Sequence, residues 1–435
     1  MGGVHKRPKK HLRFSSLLDN LQKAFNNIPD NRHPKKIEYS LSDIYSCGFA
    51  LFFLQDKSVL EFQRRFQRET NQNNLSTIFN IKNLPSDTQL RDVIDTHSYT
   101  PIKGVFRNYF HRMQRGKYLS TYLFLDSYYL ITIDGSQYFT SESINCKKCL
   151  HKKTKDGSIR YYHQIVQSTL VHPDIRQVIP LAPEFIRNED GHEKQDCERN
   201  AAKRLLYEIK HDHPQLPIII CGDSLYSNQP FITSLNKHKF SYILVAKPDD
   251  HKTLYEDIQG FRRSNLLEKI EKKEKGRTYV YEWVNEVPLN GNLDSPLVNF
   301  IQLTIFKGNK CTYRNAWVTD IPISTKNAIE MVRGGRARWK IENEGFNTLK
   351  NHGYHLEHNF GHGANNLSEA FFLLNLLAFF FHQIFELTDL LYQSARAEFS
   401  ARVEFWNAIR SVFRFFFFES WEHILKKMNS PPISA

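Results

Sequence analysis

The chain has no disulfide framework. Its six cysteines (Cys47, Cys146, Cys149, Cys197, Cys221 and Cys311) are scattered over 435 residues. That pattern excludes the cysteine-stapled secreted scaffolds and fits thiols kept reduced in a cytoplasm. No apolar segment follows the basic N-terminus, Met1 to Arg13, so no secretory signal is expected. Long hydrophobic runs are missing too. The most apolar stretch, Ala370 to Phe381, is interrupted by Asn375 and falls short of the roughly 20 apolar residues that span a bilayer. It is expected to be a buried core helix, with no membrane partner. No internal repeat is visible, and the one biased tract is Phe415 to Phe418. Proline is absent between Pro322 and Pro431, which leaves the C-terminal third free to be helical.

Acidic charge is the scarcer sign: 46 Asp and Glu face 59 Lys and Arg, a net charge of +13. Such a surplus suits a polyanionic partner, because each phosphate neutralised by Lys or Arg releases a condensed counterion. Nucleic acid is the leading candidate. An apolar share of 40% and an aromatic share of 13% support a substantial core and exclude global disorder. The length accommodates two to three domains.

Residues 1–120 are expected to be mainly helical and basic, a DNA-binding region. Apolar residues recur at helical spacing at Leu17, Leu18, Leu21 and Phe25, and from Ile44 through Phe53. Basic residues cluster at Lys6, Arg7, Lys9, Lys10 and Arg13, and again at Arg64, Arg65 and Arg68. A solvated basic face on a packing domain would have the same pattern. Ser86 or Asp87 is the expected cap of a helix that follows Pro85.

The texture changes at Tyr128. A β-rich run, Tyr128 to Ile133, is expected to end on Asp134-Gly135, with further strands at Gln137 to Thr140, Arg160 to Val171 and Val178 to Leu181. Lys194 to Lys210 reads as a helix. Pro217 to Cys221 has the character of a buried strand ending on Gly222-Asp223, followed by a helix at Pro230 to Lys237 and a strand at Tyr242 to Ala246. Strands alternating with helices around a buried parallel element indicate an α/β domain. Between residues 270 and 320 three β-prone runs, Arg277 to Val284, Leu297 to Phe306 and Tyr313 to Thr319, form an inserted antiparallel segment.

Three carboxylates stand out. Asp134 and Asp223 each follow a strand, and Glu342 lies in the helical stretch Arg336 to Asn343. A charge at the end of a buried strand is costly unless it is paired. A divalent cation supplies the pairing, and an all-oxygen ligand set favours Mg²⁺ or Mn²⁺. Two ions roughly 3.5–4 Å apart serve phosphodiester cleavage. A lone strand-terminal Asp-Gly is as a rule a turn; the weight rests on all three acids in a basic chain. Glu344 competes with Glu342, but at about 100° per residue the two point some 200° apart, so they cannot share one site. Glu342 lies on the side of Arg338, Trp339, Phe346 and Leu349, and is the residue chosen.

Asp134, Asp223, the β segment and Glu342, in that order, resemble the bacterial insertion-sequence DDE transposases that carry a β-strand insertion. Arg338, four residues before Glu342, matches the Tyr-Arg-Glu-Lys signature of that family. Two positions depart from it: Gly335 stands where the tyrosine is expected and Leu349 where the lysine is, with Lys350 one residue later. The resemblance spans roughly residues 128–385 and implies an RNase H-like α/β core. Its implied parts are a helical DNA-binding region (1–120), a first core part (121–250), a β-strand insertion (251–322), a second core part with the Glu helix (323–385) and a helical C-terminal region (386–435). It further implies a magnesium- or manganese-dependent transposase with two ions on Asp134, Asp223 and Glu342. The enzyme would cut at element ends and join the freed 3′-hydroxyl to target DNA, acting in the bacterial cytoplasm as a self-associated complex on double-stranded DNA. Arg338 is the expected phosphate clamp, against an i,i+4 ion pair with Glu342; Lys350 and Lys247 are further DNA contacts. Two other readings share these residues: a nuclease without strand transfer, and a non-catalytic DNA-binding derivative.

Weaker signals remain. Cys146-x-x-Cys149 with His151 and His163 nearby does not have standard finger spacing, and reduced free thiols rather than structural zinc are expected. His355, His358 and His362 could also bind a metal, but are expected at helix ends and in loops, touching DNA or water. Trp283 and Trp317 are expected in core or sheet packing rather than stacked on an extruded base.

Overall fold

The computed structural model describes residues 8–67, 69–188 and 195–429. Lys6, Arg7, Arg68, Lys194 and Pro431 lie outside the described residues.

Among the described residues, twelve strands form one sheet: β1 (Leu123–Phe124), β2 (Tyr128–Ser141), β3 (Leu150–Lys153), β4 (Ile159–His172), β5 (Ile175–Pro180), β6 (Glu184–Ile186), β7 (Ile218–Gly222), β8 (Ser241–Val245), β9 (Glu268–Glu274), β10 (Arg277–Pro288), β11 (Leu297–Lys307) and β12 (Lys310–Thr319). At its centre, β2 pairs antiparallel with β4, which pairs with β5, while β7 and β8 add to the other side of β2 in parallel. Two antiparallel strands on one flank of the first strand and two parallel strands on the other is the RNase H-like arrangement. The parallel strands, Ile218–Gly222 above all, are buried end to end, as expected of strands covered on both faces. Helices Glu198–Asp212 and Gln229–Lys237 make the crossovers.

The inserted segment extends this sheet instead of forming a separate one. β12 pairs antiparallel with β8, and β11, β10 and β9 follow as a meander. It contains four strands, not three, preceded by helix Lys252–Arg263. The strand absent from the sequence reading, β9, is Glu-Lys-Ile-Glu-Lys-Lys-Glu, exposed apart from half-buried Ile270. Its charges hid its β character, and the same charges suit a sheet edge that must not recruit further strands.

A second correction concerns Asp134. The expected strand end there is absent: β2 runs 14 residues through it. The ladder with β4 continues past Asp134, opposite Gln167, so no turn is needed at Asp134-Gly135.

The two terminal helical regions share one core. The long helix Leu367–Thr388 is apolar and long enough to cross a membrane, yet 89% of its most apolar window is buried within the protein. It extends well beyond the expected Ala370–Phe381. N-terminal Phe14 and Phe53 pack with their ring centroids 6.2 and 6.0 Å from Phe381 of that helix. C-terminal Trp421 closes the cluster, stacked 5.4 Å from Phe14 and edge-on 5.2 Å from Phe53. Ser86 caps helix Asp87–Thr96, its hydroxyl accepting from the Gln89 N–H at 3.1 Å.

Candidate active site

Parallel pairing sets the level of the two aspartates. Thr132 of β2 lies opposite Cys221 of β7. Two residues on, β2 reaches Asp134, and β7 has just ended on Gly222 and delivered Asp223. Asp223 is half-buried and its Oδ1 accepts from the Leu225 N–H at 2.9 Å, which fixes the turn after the strand.

The helix that bears Glu342 lies against the same sheet. Its first section, Ala328–Ala337, presents Gly335 to Trp317: a Cβ there would sit 2.5 Å from the indole Nε1. The tyrosine of the family signature has no room at this position, because a tryptophan of the insertion fills it. The helix then widens into a π turn, Ile341–Phe346, a feature that often marks functional sites. Glu342 Oε1 accepts from Arg338 Nη1 at 2.8 Å, and the same nitrogen lies 3.4 Å from Asp134 Oδ2. Glu344 points elsewhere and accepts from Arg176 Nε at 3.1 Å.

Burial pushes the Asp134 carboxyl up to about 7; Arg338 opposes this, and the neighbouring charges of Glu342 and Asp223 add to it. One guanidinium thus contacts two carboxylates, Asp134 and Glu342, while Asp223 joins them through its charge on Asp134, which leaves an excess of negative charge around Asp134. The Arg338 side chain is only 8% exposed, so it is held in place rather than sampling solvent. An all-oxygen cluster with surplus negative charge fits a hard divalent cation.

Sequence reasoning missed a fourth acid. Glu198, the first residue of helix Glu198–Asp212, accepts from the Tyr226 hydroxyl and from Gln164 Nε2, both at 2.8 Å. It lies against Gly135, where a Cβ would come within 2.1 Å of its Oε2. Burial holds its carboxyl above the ordinary glutamate range, and nearby Asp223 adds to the shift. Glu198 thus braces the backbone beside Asp134 and, through Tyr226, the turn after Asp223. Nothing local in the sequence marks it out; the glycine after Asp134 and the tyrosine three residues after Asp223 are its imprint.

The remaining candidates separate. Lys247 is exposed just beyond β8, at the sheet edge that carries Asp223. Lys350 is paired with Glu357 at 2.8 Å. Trp283 and Trp317 are fully buried, in accord with sheet packing. The exposed aromatic next to the acids is Trp339, 48% accessible, with the Arg338 guanidinium 4.7 Å from its ring centre. His362 is not a free loop histidine: it is buried with Cys146, Cys149 and His163, whereas His151 lies exposed on β3 outside that group.

Residues 184–380 match the family model of the transposase DDE domain. That stretch of the chain is similar to a transposase DDE domain. The matched span includes Asp223 and Glu342 and begins at β6, after Asp134, so Asp134 joins the cluster on geometry alone. No curated protein matches the sequence. Among solved structures, a piggyBac transposase synaptic complex with hairpin DNA aligns over 99% of this chain and 85% of its own, at 10% identity and a TM-score of 0.41. At that score the likeness assigns no residue and no activity.

Proposed function

We propose that this DDE transposase is the enzyme of a bacterial insertion sequence, and that Asp134, Asp223 and Glu342 are its catalytic carboxylates and the ligands of two Mg²⁺ or Mn²⁺ ions. The observation that carries the proposal is the contact of Arg338 with both Asp134 and Glu342, beside a third carboxylate whose charge Asp134 feels. When bound, such ions activate the attacking oxygen and stabilise the leaving one. The protein's own groups do the rest. The carboxylates orient the scissile phosphate relative to the attacking oxygen. Arg338, with a planar fork suited to phosphate, exchanges its carboxylate partners for the DNA backbone. Glu198 keeps Asp134 and the Asp223 turn in register, and Trp339 offers an exposed ring for a base or sugar at the cut end.

Double-stranded DNA is the partner, held by the +13 surplus, with Lys247 a phosphate contact at the catalytic edge and Lys350 a weaker one because Glu357 already engages it. The helical N-terminal region, residues 1–120, reads the element end, and two chains associate on DNA in the bacterial cytoplasm.

The test uses the purified chain, a duplex ending in the element's inverted repeat, Mg²⁺ and a target plasmid. Cleavage followed by joining is expected. Asp134→Asn and Asp223→Asn should each remove cleavage and leave DNA binding measurable. Cleavage with no joined product would identify a plain nuclease; normal cleavage by either variant would remove that residue from the site.

A further inference from the structure

A second cluster of donors lies away from the carboxylates. Cys146 and Cys149 sit in the connection between β2 and β3, His163 on β4, and His362 in the segment that leads into helix Leu367–Thr388. Their ligand atoms all lie within 4.8 Å of one another. The two sulfurs are 3.8 Å apart, and His163 Nε2 lies 3.6 Å from Cys146 Sγ and 3.5 Å from Cys149 Sγ. His362 Nε2 is 3.4 Å from Cys149 Sγ and 3.1 Å from His163 Nε2. Bonds of about 2.3 Å to sulfur and 2.0–2.1 Å to nitrogen, at tetrahedral angles, require separations of about 3.8 Å (S–S), 3.6 Å (S–N) and 3.3 Å (N–N). The five contacts reproduce that set to within about 0.2 Å. A disulfide does not explain them, since it needs the sulfurs about 2.05 Å apart.

The surroundings prepare these atoms as ligands. Gly363 O lies 2.8 Å from His362 Nδ1 and can only accept, so the ring proton sits on Nδ1 and the Nε2 lone pair faces the cluster. The Cys146 backbone N–H donates to Cys149 Sγ at 3.4 Å, a contact that favours the thiolate. Three of the four residues are buried. The set contains two soft sulfurs and no carboxylate, so it selects zinc over the hard cations suited to Asp134, Asp223 and Glu342.

We infer that Cys146, Cys149, His163 and His362 form a structural zinc site, closed by four protein ligands. Zn²⁺ displaces one proton from each thiol on binding, so two protons leave per ion. The ion ties three parts distant in sequence: the arm at the far end of the strand that carries Asp134, its neighbour β4, and the irregular segment 352–366 that links the Glu342 helix to helix Leu367–Thr388. Other contacts seat the same junction. Lys148, between the two cysteines, donates to Glu369 Oε2 at 2.8 Å and Asn366 Oδ1 at 2.9 Å. Asp95 accepts from the backbone N–H groups of Ala364, Asn365, Asn366 and Leu367 at 2.9–3.0 Å. The zinc is a clamp that holds the exit of the Glu342 helix to the first strand. The sequence obscured it because the fourth ligand is His362, more than 200 residues from Cys149, whereas His151 was the nearer candidate.

The test is metal analysis of the full-length chain, purified under reducing conditions without chelator. One zinc per chain should survive dialysis. Replacing it with Co²⁺ should give the visible bands of a tetrahedral ion with two thiolate ligands. Cys149→Ser and His362→Ala should weaken metal affinity at least about tenfold, while His151→Ala and Cys197→Ser retain the full complement. The Co²⁺ spectrum of the wild-type chain decides the matter even if a ligand variant does not fold. Zinc lost on dialysis, an octahedral Co²⁺ spectrum, or loss of metal in His151→Ala but not in His362→Ala would each overturn the site.

Discussion

At the scale of single residues, the carboxylate cluster is arranged against the stability of the metal-free chain. The charges of Glu342 and Asp223 both act against an ionised Asp134, and Arg338 bridges Asp134 and Glu342. Removing one charge should therefore stabilise the protein when no divalent ion is present. In excess chelator at pH 8, Asp134→Asn is expected to raise the melting temperature by several degrees, the equivalent of roughly 1–3 kcal/mol. Mg²⁺ should reverse the order of the two proteins. A lower melting temperature for the variant in chelator would show that the three acids do not strain one another. Gly135 is a second residue-scale case. A methyl group there would collide with Glu198, so Gly135→Ala should cost about 1–3 kcal/mol by overpacking and should depress cleavage more than DNA binding. Unchanged thermal unfolding of this variant would contradict the brace.

At the scale of elements, helix Glu198–Asp212 ends on His213, whose ring packs 4.4 Å from that of Phe110. Burial pulls His213 down to about 4, with nearby His111 adding to the effect. Its folded pKa lies below the unfolded value of 6.5, so the stability that depends on the neutral ring is complete above pH 6.5 and is lost as pH falls from 6.5 to about 4. His213→Gln should flatten the melting-temperature profile across that window. An equally steep loss in the variant would place the acid sensitivity elsewhere. Element by element, the parallel core was legible because its strands are short apolar runs bounded by turns: Ile218–Gly222 and Ser241–Val245 fall within a residue of expectation. Others were not, among them β9 and the full length of β2. β9 is charged along its length because it is an edge, and β2 continues through Asp134 because β4 still pairs with it there. Both depend on neighbours that a linear reading does not supply. Asp134, Asp223 and Glu342 were singled out from two apolar runs ending on Asp and a family-like helix, and the structure sets Arg338 against the first and last of them, whereas Glu198 and His362 act only through contacts remote in sequence.

At the scale of the whole molecule, the helical ends form one body. Phe14 and Phe53 from the N-terminal region, Phe381 and Phe385 from the long helix, and Trp406 and Trp421 from the C-terminal region interleave in a single aromatic core. A fragment of residues 1–120 thus lacks the partners that bury its own phenylalanines and should show no cooperative thermal unfolding; a sharp transition would show an independent domain. Phe381→Ala should cost about 3–5 kcal/mol. The same arrangement lets the long helix and the proposed zinc clamp fix the position of the Glu342 helix relative to the sheet.

The most direct test of the catalytic assignment is a paired measurement of cleavage by Glu342→Gln and Glu344→Gln on an inverted-repeat duplex with Mg²⁺, at matched DNA occupancy. The two side chains share one helix but diverge, Glu342 toward Arg338 and Glu344 toward Arg176. Loss of a metal-ligating carboxylate should cost Glu342→Gln about a thousandfold or more in rate, some 4 kcal/mol of barrier, while Glu344→Gln stays within a few-fold of wild type. Equal losses in the two variants, or the larger loss in Glu344→Gln, would contradict the assignment.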